Sequence, residues 1–228
     1  MSGAATPAFD PDLLGRLDPM LGLLAAAPAS LSSVTEPNRA REVHLLDSLS
    51  GLIVEELGRA SRVADIGSGA GFPGIPLAAA LPRAQFDLID SVTRKTEFIT
   101  AVIATLGLTN ARAVKARSEE WASGEGREAY DVVTARAVAP LSVLAELASP
   151  LLDSGGSLIA WKGAREIEEE TTLERLGERL AMSIDRVIEV APFPQSRIRH
   201  LYVMRKTATT PAGLPRRPGM ARKRPFSG

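Results

Sequence analysis

Three glycines at alternate positions follow a short apolar run, and an acid closes the next apolar run. The segment VADIGSGAGFPG carries the glycines as Gly67, Gly69 and Gly71. Glycine lets the backbone take positive φ and approach a ligand closely. The later run FDLID ends in Asp90, and a carboxylate at a strand tip suits the hydroxyls of a nucleoside ribose. Together the two features predict a site for a nucleoside cofactor.

The spacing of the glycines separates this turn from two other nucleotide-binding turns. A dinucleotide fingerprint, G-x-G-x-x-G, would need its third glycine where Phe72 stands. A Walker loop needs Lys and then Ser or Thr after its last glycine, but Ile75 and Pro76 follow Gly74. With Asp65 ahead of the turn, the pattern resembles the S-adenosylmethionine methyltransferases of the Rossmann-like class. The alternative is a tight strand–helix turn in another α/β protein, and the two acids favour the cofactor.

The composition is that of an ordinary globular chain. Its 228 residues suit one α/β domain with small extensions, and 45% are hydrophobic and 24% charged. The absence of cysteine excludes disulfides, thiolate nucleophiles and cysteine metal sites. With only His44 and His200, a histidine-built zinc site is not expected. No apolar run approaches the roughly 20 residues of a membrane span, and no secretory pattern is present, so a cytoplasmic, metal-free protein is expected.

Two helices are expected ahead of the glycine turn. The first spans residues 9–27, where Asp10 caps its start and Pro28 ends it. The second follows residues 36–38 and is one continuous helix that Gly58 closes. Its predicted inner stripe consists of Val43, Leu46, Leu49, Leu52, Ile53 and Leu57.

From residue 61 onward the sequence alternates between strand and helix patterns. Strands are expected at 62–66, 85–90, 111–116, 131–135 and 156–162, with helices near 74–81, 93–106, 140–149 and 165–180. Such alternation implies a parallel sheet covered by helices on both faces. The last two runs, 184–191 and 200–205, are joined too closely for a crossover helix and are expected to pair antiparallel. We therefore expect a helical extension (1–60), a Rossmann-like α/β domain (61–206) and a basic, proline-rich tail (207–228).

Ligands of such sheets bind at the carboxyl ends of the strands. Ser118 and Glu119 follow the third strand and offer acceptors for an adenine amino group, although a helix cap with a first-turn acid explains them equally well. Arg136 ends the fourth strand as a cation at this face, with a salt-bridged surface arginine as the alternative. The Asn-Pro-Pro-Tyr or Asp-Pro-Pro-Tyr loop of enzymes that methylate exocyclic amines is missing there.

Several motifs in order resemble one family, the bacterial 16S rRNA guanine-N7 methyltransferases (RsmG, also called GidB). They are HLLDS at 44–48, DIGSGAGFPGIPLA at 65–78, LIDS at 88–91, TARA at 134–137, WKG at 161–163, RHL at 199–201 and the tail LPRRPGMARKRPF. The chain departs from the family where Ser30-Leu31-Ser32 replaces an Asn-Leu-Thr segment and where Met220-Ala221 replaces Thr-Pro. Ordered agreement of this kind is more specific than one fingerprint.

The resemblance implies S-adenosylmethionine as cofactor and a guanine of 16S rRNA, within the small ribosomal subunit, as substrate. The implied cofactor contacts are Gly67, Phe72, Ser118, Glu119 and Arg136, to which the glycine turn and the ribose argument add Gly69 and Asp90. Guanine N7 carries a free lone pair, so methylation there needs alignment but no general base. Arg136 and Lys162 are the candidates for holding the base or its phosphate, although Lys162 also suits a solvated strand end.

Basic residues at a helix start, after the strands and in the tail predict an RNA footprint. It comprises Arg94, Lys95, Arg117, Arg197, Arg199, Arg216, Arg217 and Lys223. The segment from Lys206 onward carries six basic residues and no acid, and such a proline-rich tail is expected to extend. A solubilising role is its alternative. Deletion from Thr207 is expected to weaken RNA binding and to flatten its salt dependence.

Two other functions stay open on the sequence. A methyltransferase for a small amine or carboxylate would have a substrate lid and no basic tail, and a cofactor-binding assembly factor would show no turnover. Methyl transfer to small ribosomal subunits distinguishes both from an rRNA methyltransferase. The protein is expected to be a monomer.

Overall fold

The fold is built on one sheet of seven strands. A computed structural model describes residues 7–27, 31, 34, 36–136 and 138–226. The strands are β1 Arg62–Ile66, β2 Gln85–Asp90, β3 Ala111–Lys115, β4 Tyr130–Arg136, β5 Leu152–Lys162, β6 Met182–Val190 and β7 Arg199–Lys206. Their order is β3-β2-β1-β4-β5-β7-β6, with β1 to β5 parallel and β7 antiparallel to both β5 and β6. The mostly parallel sheet with a C-terminal antiparallel pair is confirmed.

Helices cover the sheet and extend it at the N-terminus. They are α1 Pro11–Ala26, α2 Pro37–Ala40, a π-helix Arg41–Leu46, α3 Asp47–Leu49, a 3₁₀ helix Ser50–Ile53, α4 Glu55–Arg59, α5 Gly74–Ala80, α6 Thr93–Leu106, α7 Ser118–Trp121, α8 Leu141–Ala148, α9 Ile167–Leu180 and α10 Met220–Lys223. Asp10 caps α1 as expected, since its side chain accepts from the Asp12 N–H at 2.9 Å. Pro28, Ser30 and Ser32 lie outside the described residues, as does Ala137 of the TARA motif.

The prediction of a single continuous helix between residue 36 and Gly58 is wrong. A π-helical turn interrupts it, and Val54 takes an extended conformation with ψ 112° ahead of α4. A π-turn holds more residues than an α-turn, so it shifts which side chains face inward. Leu45 and Asp47 are therefore buried, whereas Leu46 of the predicted stripe is only half-buried.

The core continues from the sheet into the N-terminal helices. On one side, Leu17 and Met20 of α1 join Ile75, Leu88 and Ile99 in a single apolar cluster. Apolar contacts of this kind are the main source of stability in a domain, so α1 is anchored to the helices that follow β1 and β2. The N-terminal helices can thereby place side chains at the carboxyl edge of the sheet. Within the described ranges, no helix is long and apolar enough to cross a membrane.

The expectation that the tail extends is wrong, because the structure folds it back onto the sheet and α8. We call residues 207–226 the C-terminal strap. Leu214 and Ala221, at 5% and 0% exposure, are part of the core around α8. Just before the strap, buried Lys206 at the end of β7 donates from Nζ to Glu128 Oε1 at 2.9 Å. Hydrogen bonds from Lys206 and from Thr210 of the strap lower the pKa of Glu128 to about 2. The composition of the strap alone did not reveal the acids elsewhere in the chain with which its basic residues pair.

Candidate functional site

The glycine turn takes the conformation that its residue types predicted. Gly67, Gly69 and Gly71 have φ values of +65°, +60° and +91°, a region that side-chain-bearing residues rarely adopt. A Cβ on Gly67 would also lie 3.1 Å from Val138 Cγ2. The turn thus brings bare backbone against the loop that follows β4, where β1 and β4 mark the reversal of strand order and where open sheets bind ligands.

Asp65 locks this turn to the neighbouring strand. It is fully buried, and its carboxylate accepts from the Gly74 N–H at 3.1 Å and from Thr134 Oγ1 at 2.8 Å. Burial raises the pKa of Asp65 to about 6, and the hydrogen bonds from Thr134, Ser68 and Gly74 only partly oppose it. The acid ahead of the glycines is therefore a structural tie, and it lines neither cavity described below.

We expect the stability of the protein to depend on pH through Asp65. A folded-state pKa raised to about 6 means that the folded chain binds this proton more tightly than the unfolded chain. The resulting stabilisation is fully present below the ordinary pKa of 3.8 and is lost as pH rises through 6. Between pH 4 and 7, wild type should lose up to about 3 kcal/mol relative to Asp65→Asn. Urea unfolding across this range measures the difference, and parallel pH profiles for the two proteins would contradict it.

A first cavity of about 310 Å³ opens beside the glycine turn at the ends of β1, β2 and β3. It is lined by Gly67, Ile89, Asp90, Ser91, Val92, Lys95, Ala116, Arg117, Ser118, Glu119, Val138, Leu147, Gly219 and Arg222. Four of the predicted cofactor contacts are thus brought together, namely Gly67, Asp90, Ser118 and Glu119. Gly69 and Phe72 are not part of this lining, and Arg136 lines the neighbouring cavity instead.

Backbone amides orient the carboxylate of Asp90 in the first cavity. The Gly69 N–H donates to Oδ2 and the Val92 N–H donates to Oδ1, both at 3.0 Å. Lys95 Nζ lies 3.5 Å from Oδ2. Lys95 was expected in the RNA footprint, but one turn into α6 its side chain points back at the tip of β2. Ser118 begins α7 as its first helical residue, and Arg117 takes the cap position.

A second cavity, of about 720 Å³, adjoins the first and shares Val138 with it. It is lined by Val43, His44, Asp47, Arg136, Val138, Ala139, Pro140, Leu144, Trp161, Lys162, Gly163, Ala164, Glu166, Glu169 and Arg199. Both predicted catalytic residues, Arg136 and Lys162, are therefore in one cavity, although α8 and most of β5 lie between them in sequence. Arg199 of the predicted RNA footprint lies there too.

Asp47 holds two arginines at the second cavity. Arg136 Nη1 donates to Asp47 Oδ2 at 3.0 Å and to the Val43 carbonyl at 3.1 Å. Arg199 Nε donates to Asp47 Oδ1 at 3.1 Å, and Trp161 Nε1 donates to the Asp47 carbonyl at 2.9 Å. Asp47 therefore ties the N-terminal helices to β4, β5 and β7. Among the described residues, the hydrogen bonds of Arg136 use Nη1 alone, which leaves the N–H groups of Nε and Nη2 for a ligand.

Two further groups of the second cavity are also held in place. Lys162 Nζ lies 2.8 Å from Glu169 Oε2, and Glu169 accepts from the Leu141 N–H at 3.0 Å. The His44 ring stacks on Phe72, with centroids 4.7 Å apart, and the Arg136 guanidinium lies 5.2 Å from the Phe72 centroid. Phe72 therefore supports these two side chains.

Two of the three carboxylates that line the second cavity are engaged by cations. Asp47 and Glu169 both accept from basic side chains, whereas Glu166 is exposed at the cavity edge. Burial, with the nearby Arg136 charge, lowers the pKa of His44 to about 4, so its imidazole is a weak base. Across the part of the chain that the structure covers, no group of three or more His, Asp or Glu could hold a metal ion.

The predicted RNA residues separate into two sets. Those with exposed side chains that form no ion pair within the described ranges are Arg94, Arg117, Arg197, Arg217 and Lys223. Those paired within the protein are Lys95, Arg199 and Arg216. Arg216 makes two 2.6 Å bonds to Glu146, which is 3% exposed. Its partner was missed, although a lone acid in the apolar helix LSVLAELA signals a buried ion pair.

The chain is similar to proteins of one family over most of its length. The model of the GidB family, described as rRNA small subunit methyltransferase G, matches residues 23–198. The Ribosomal RNA small subunit methyltransferase G of Trichormus variabilis is 37% identical over 203 residues, covering 86% of this chain and 83% of that protein. The protein of the same name from Rubrobacter xylanophilus is 40% identical over 204 residues, covering 88% of this chain and 78% of the relative.

Solved structures show the same fold. A predicted O-methyltransferase from Agrobacterium tumefaciens superimposes with a TM-score of 0.56 at 22% identity, covering 72% of this chain and 80% of that one. Identity that low supports the fold alone, which is the Rossmann-like methyltransferase sheet expected from the alternation of strands and helices.

Proposed function

Since the chain belongs to the family of the rRNA small subunit methyltransferases G, we propose that it methylates N7 of a guanine in 16S rRNA with S-adenosylmethionine as donor. The family makes it an rRNA methyltransferase, and the nucleotide atom, the cofactor and the residue roles are the parts proposed here. The adjoining first and second cavities, which share Val138, carry the proposal.

The residues of the first cavity fit S-adenosylmethionine. Asp90, fixed by two backbone amides, suits the ribose hydroxyls, and Ser118 with Glu119 suits the adenine amino group. The bare backbone of Gly67 allows a close approach at the β1 end. When bound, the cofactor supplies an electrophilic methyl group on a sulfonium. We propose Gly69, Phe72 and Arg136 as supporting residues of this site, because Gly69 holds Asp90, Arg136 lines the adjoining cavity and Phe72 packs against Arg136.

The second cavity fits a nucleophile that needs no deprotonation. Guanine N7 has a lone pair and no proton, so the ion-paired carboxylates of Asp47 and Glu169 and the weakly basic His44 are compatible with it. Arg136 can donate from Nε and Nη2 to guanine O6 or to a phosphate, which leaves N7 free. Lys162, held by Glu169, would fix the other side of the nucleotide. Catalysis would then rest on alignment, which contributes several kcal/mol to a barrier.

Transfer of labelled methyl groups tests this function. Small ribosomal subunits from cells that lack the gene are incubated with the protein and labelled S-adenosylmethionine. Label in N7-methylguanosine, within a single fragment of the 16S rRNA digest, is the expected result. Label in small metabolites alone, in another base position, or in nothing would contradict the proposal.

Exposed basic residues should contribute to RNA affinity through phosphate contacts. The variant Arg217→Ala with Lys223→Ala is expected to lower the slope of log K against log salt by about 1.4 to 1.8. Both side chains are exposed and unpaired within the described residues, so the fold should persist. Binding to small subunits at several salt concentrations measures the slope. An unchanged slope would contradict phosphate contact by these two residues.

A further inference from the structure

The C-terminal strap reaches the first cavity, although its sequence suggested an arm for RNA. Gly219 and Arg222 belong to the lining of this cavity. The Gly219 N–H donates to Glu119 Oε1 at 2.7 Å. Gly219 has φ of +80°, a conformation that glycine adopts without strain, and it turns the strap toward α7. A segment near the end of the chain thus meets the ends of β2 and β3.

An ion-pair clamp holds this part of the strap in place. Arg216 Nε and Nη2 donate to the two oxygens of Glu146 in α8, each at 2.6 Å. Paired, bidentate contacts between arginine and carboxylate are among the stronger polar interactions. The Phe226 ring lies against both Arg216 and Arg179, with centroid distances of 3.8 and 3.7 Å. The clamp fixes the strap on both sides of Gly219.

The contact with Glu119 matters because this residue is buried, with 8% of its surface exposed. A buried acceptor needs a donor, or it costs free energy. Among the described residues, Gly219 provides the hydrogen bond to this carboxylate. A carboxylate has about four acceptor positions, so Glu119 can bind Gly219 and an adenine amino group together. The strap would therefore fix the orientation of a cofactor contact.

We propose that the C-terminal strap is a wall of the S-adenosylmethionine site, in which the Arg216–Glu146 clamp keeps Gly219 on Glu119 and Arg222 at the cavity edge. The inference rests on the proposed cofactor of the first cavity. The strap then acts on cofactor affinity in the absence of RNA. Because binding and docking are linked reciprocally, the bound cofactor also stabilises the docked strap.

Isothermal titration with S-adenosylhomocysteine, without RNA, tests the clamp. Arg216→Ala is expected to weaken binding roughly tenfold, because the donor to Glu119 is no longer held in place. The matched control is Arg224→Ala, which removes an exposed strap arginine without an ion pair in the described part of the chain. The control should change the dissociation constant by less than about twofold. Equal affinities of wild type and Arg216→Ala, or equal losses in both variants, would overturn the inference.

Hydrogen exchange of the wild-type protein gives a second test that needs no variant. Strap amides should exchange more than about tenfold more slowly with S-adenosylhomocysteine near 100 times its dissociation constant. Unchanged exchange in the strap, with protection at the glycine turn, would overturn the inference and leave the proposed cofactor standing. A wild-type protein that binds no S-adenosylhomocysteine would instead overturn the proposed cofactor and, with it, this inference.

Discussion

Arg136→Ala should lower methyl transfer to small ribosomal subunits by about 100- to 1,000-fold. In the structure, Arg136 ends β4 and lines the second cavity, where Asp47 and the Val43 carbonyl engage its Nη1. The remaining N–H groups would position the guanine, and alanine offers no donor. Arg136→Lys should recover only part of the activity, because an ammonium lacks the planar fork that serves Asp47 and a ligand at once.

The assay needs a control that changes an arginine of the sheet outside the site. Arg205 in β7 lines neither cavity and pairs with Glu56 at 3.6 Å on a half-exposed surface. Arg205→Ala should retain turnover within about threefold. Thermal unfolding of each variant separates lost folding from lost chemistry. If Arg136→Ala keeps full turnover and unchanged cofactor binding, the proposed role of Arg136 is wrong.

Asp47→Ala should be the most destabilising change at the site, by about 3 to 5 kcal/mol. Its carboxylate neutralises Arg136, whose side chain is 15% exposed, and also accepts from Arg199. Removing it leaves a buried cation without its partner, and desolvation then costs more than the pair contributed. Urea unfolding at neutral pH measures the loss. Methyl transfer should fall as well, because both arginines lose the group that orients them.

The matched control is Asp18→Ala on α1. Asp18 pairs with Arg41 at 3.1 Å, but the two side chains are 50% and 39% exposed. Exposed pairs contribute about 0 to 1 kcal/mol, so this variant should stay within 1 kcal/mol of wild type. Asp47→Asn, which keeps the shape and one acceptor, should recover part of the stability. Similar losses of stability in Asp47→Ala and Asp18→Ala would contradict the conclusion that Asp47 anchors the two arginines of the second cavity.

Local patterns in the sequence predicted the sheet and its glycine turn. The apolar run of β1 predicted a buried strand. The glycines at 67, 69 and 71 predicted a tight turn, because only glycine takes positive φ without cost. The α6 bounds, Thr93–Leu106, also match the prediction, because helical periodicity is a local signal. The carboxyl ends of parallel strands must meet at one edge, so Gly67, Asp90, Ser118 and Glu119 could be expected in one cavity.

Patterns that depend on long-range partners were predicted poorly. The π-turn at 41–46 shifts Asp47 inward, and no local propensity encodes that phase change. The strap was expected to extend because its own residues cannot form a core. Its partners, Glu128, Glu146 and Glu119, lie 70 or more residues away along the chain. The residues of the strap itself contain none of these acids, so their composition could not reveal the contacts.

The sequence by itself determined the fold class, the glycine turn and the family, because each depends on local residue patterns and on their order along the chain. The tertiary structure decided which of the predicted basic side chains form ion pairs within the protein. It neutralised Lys95, Arg199 and Arg216 with Asp90, Asp47 and Glu146, respectively. It also turned a basic tail into part of the first cavity. Ion pairs are made in space between residues distant in sequence, and burial decides how strongly each one acts.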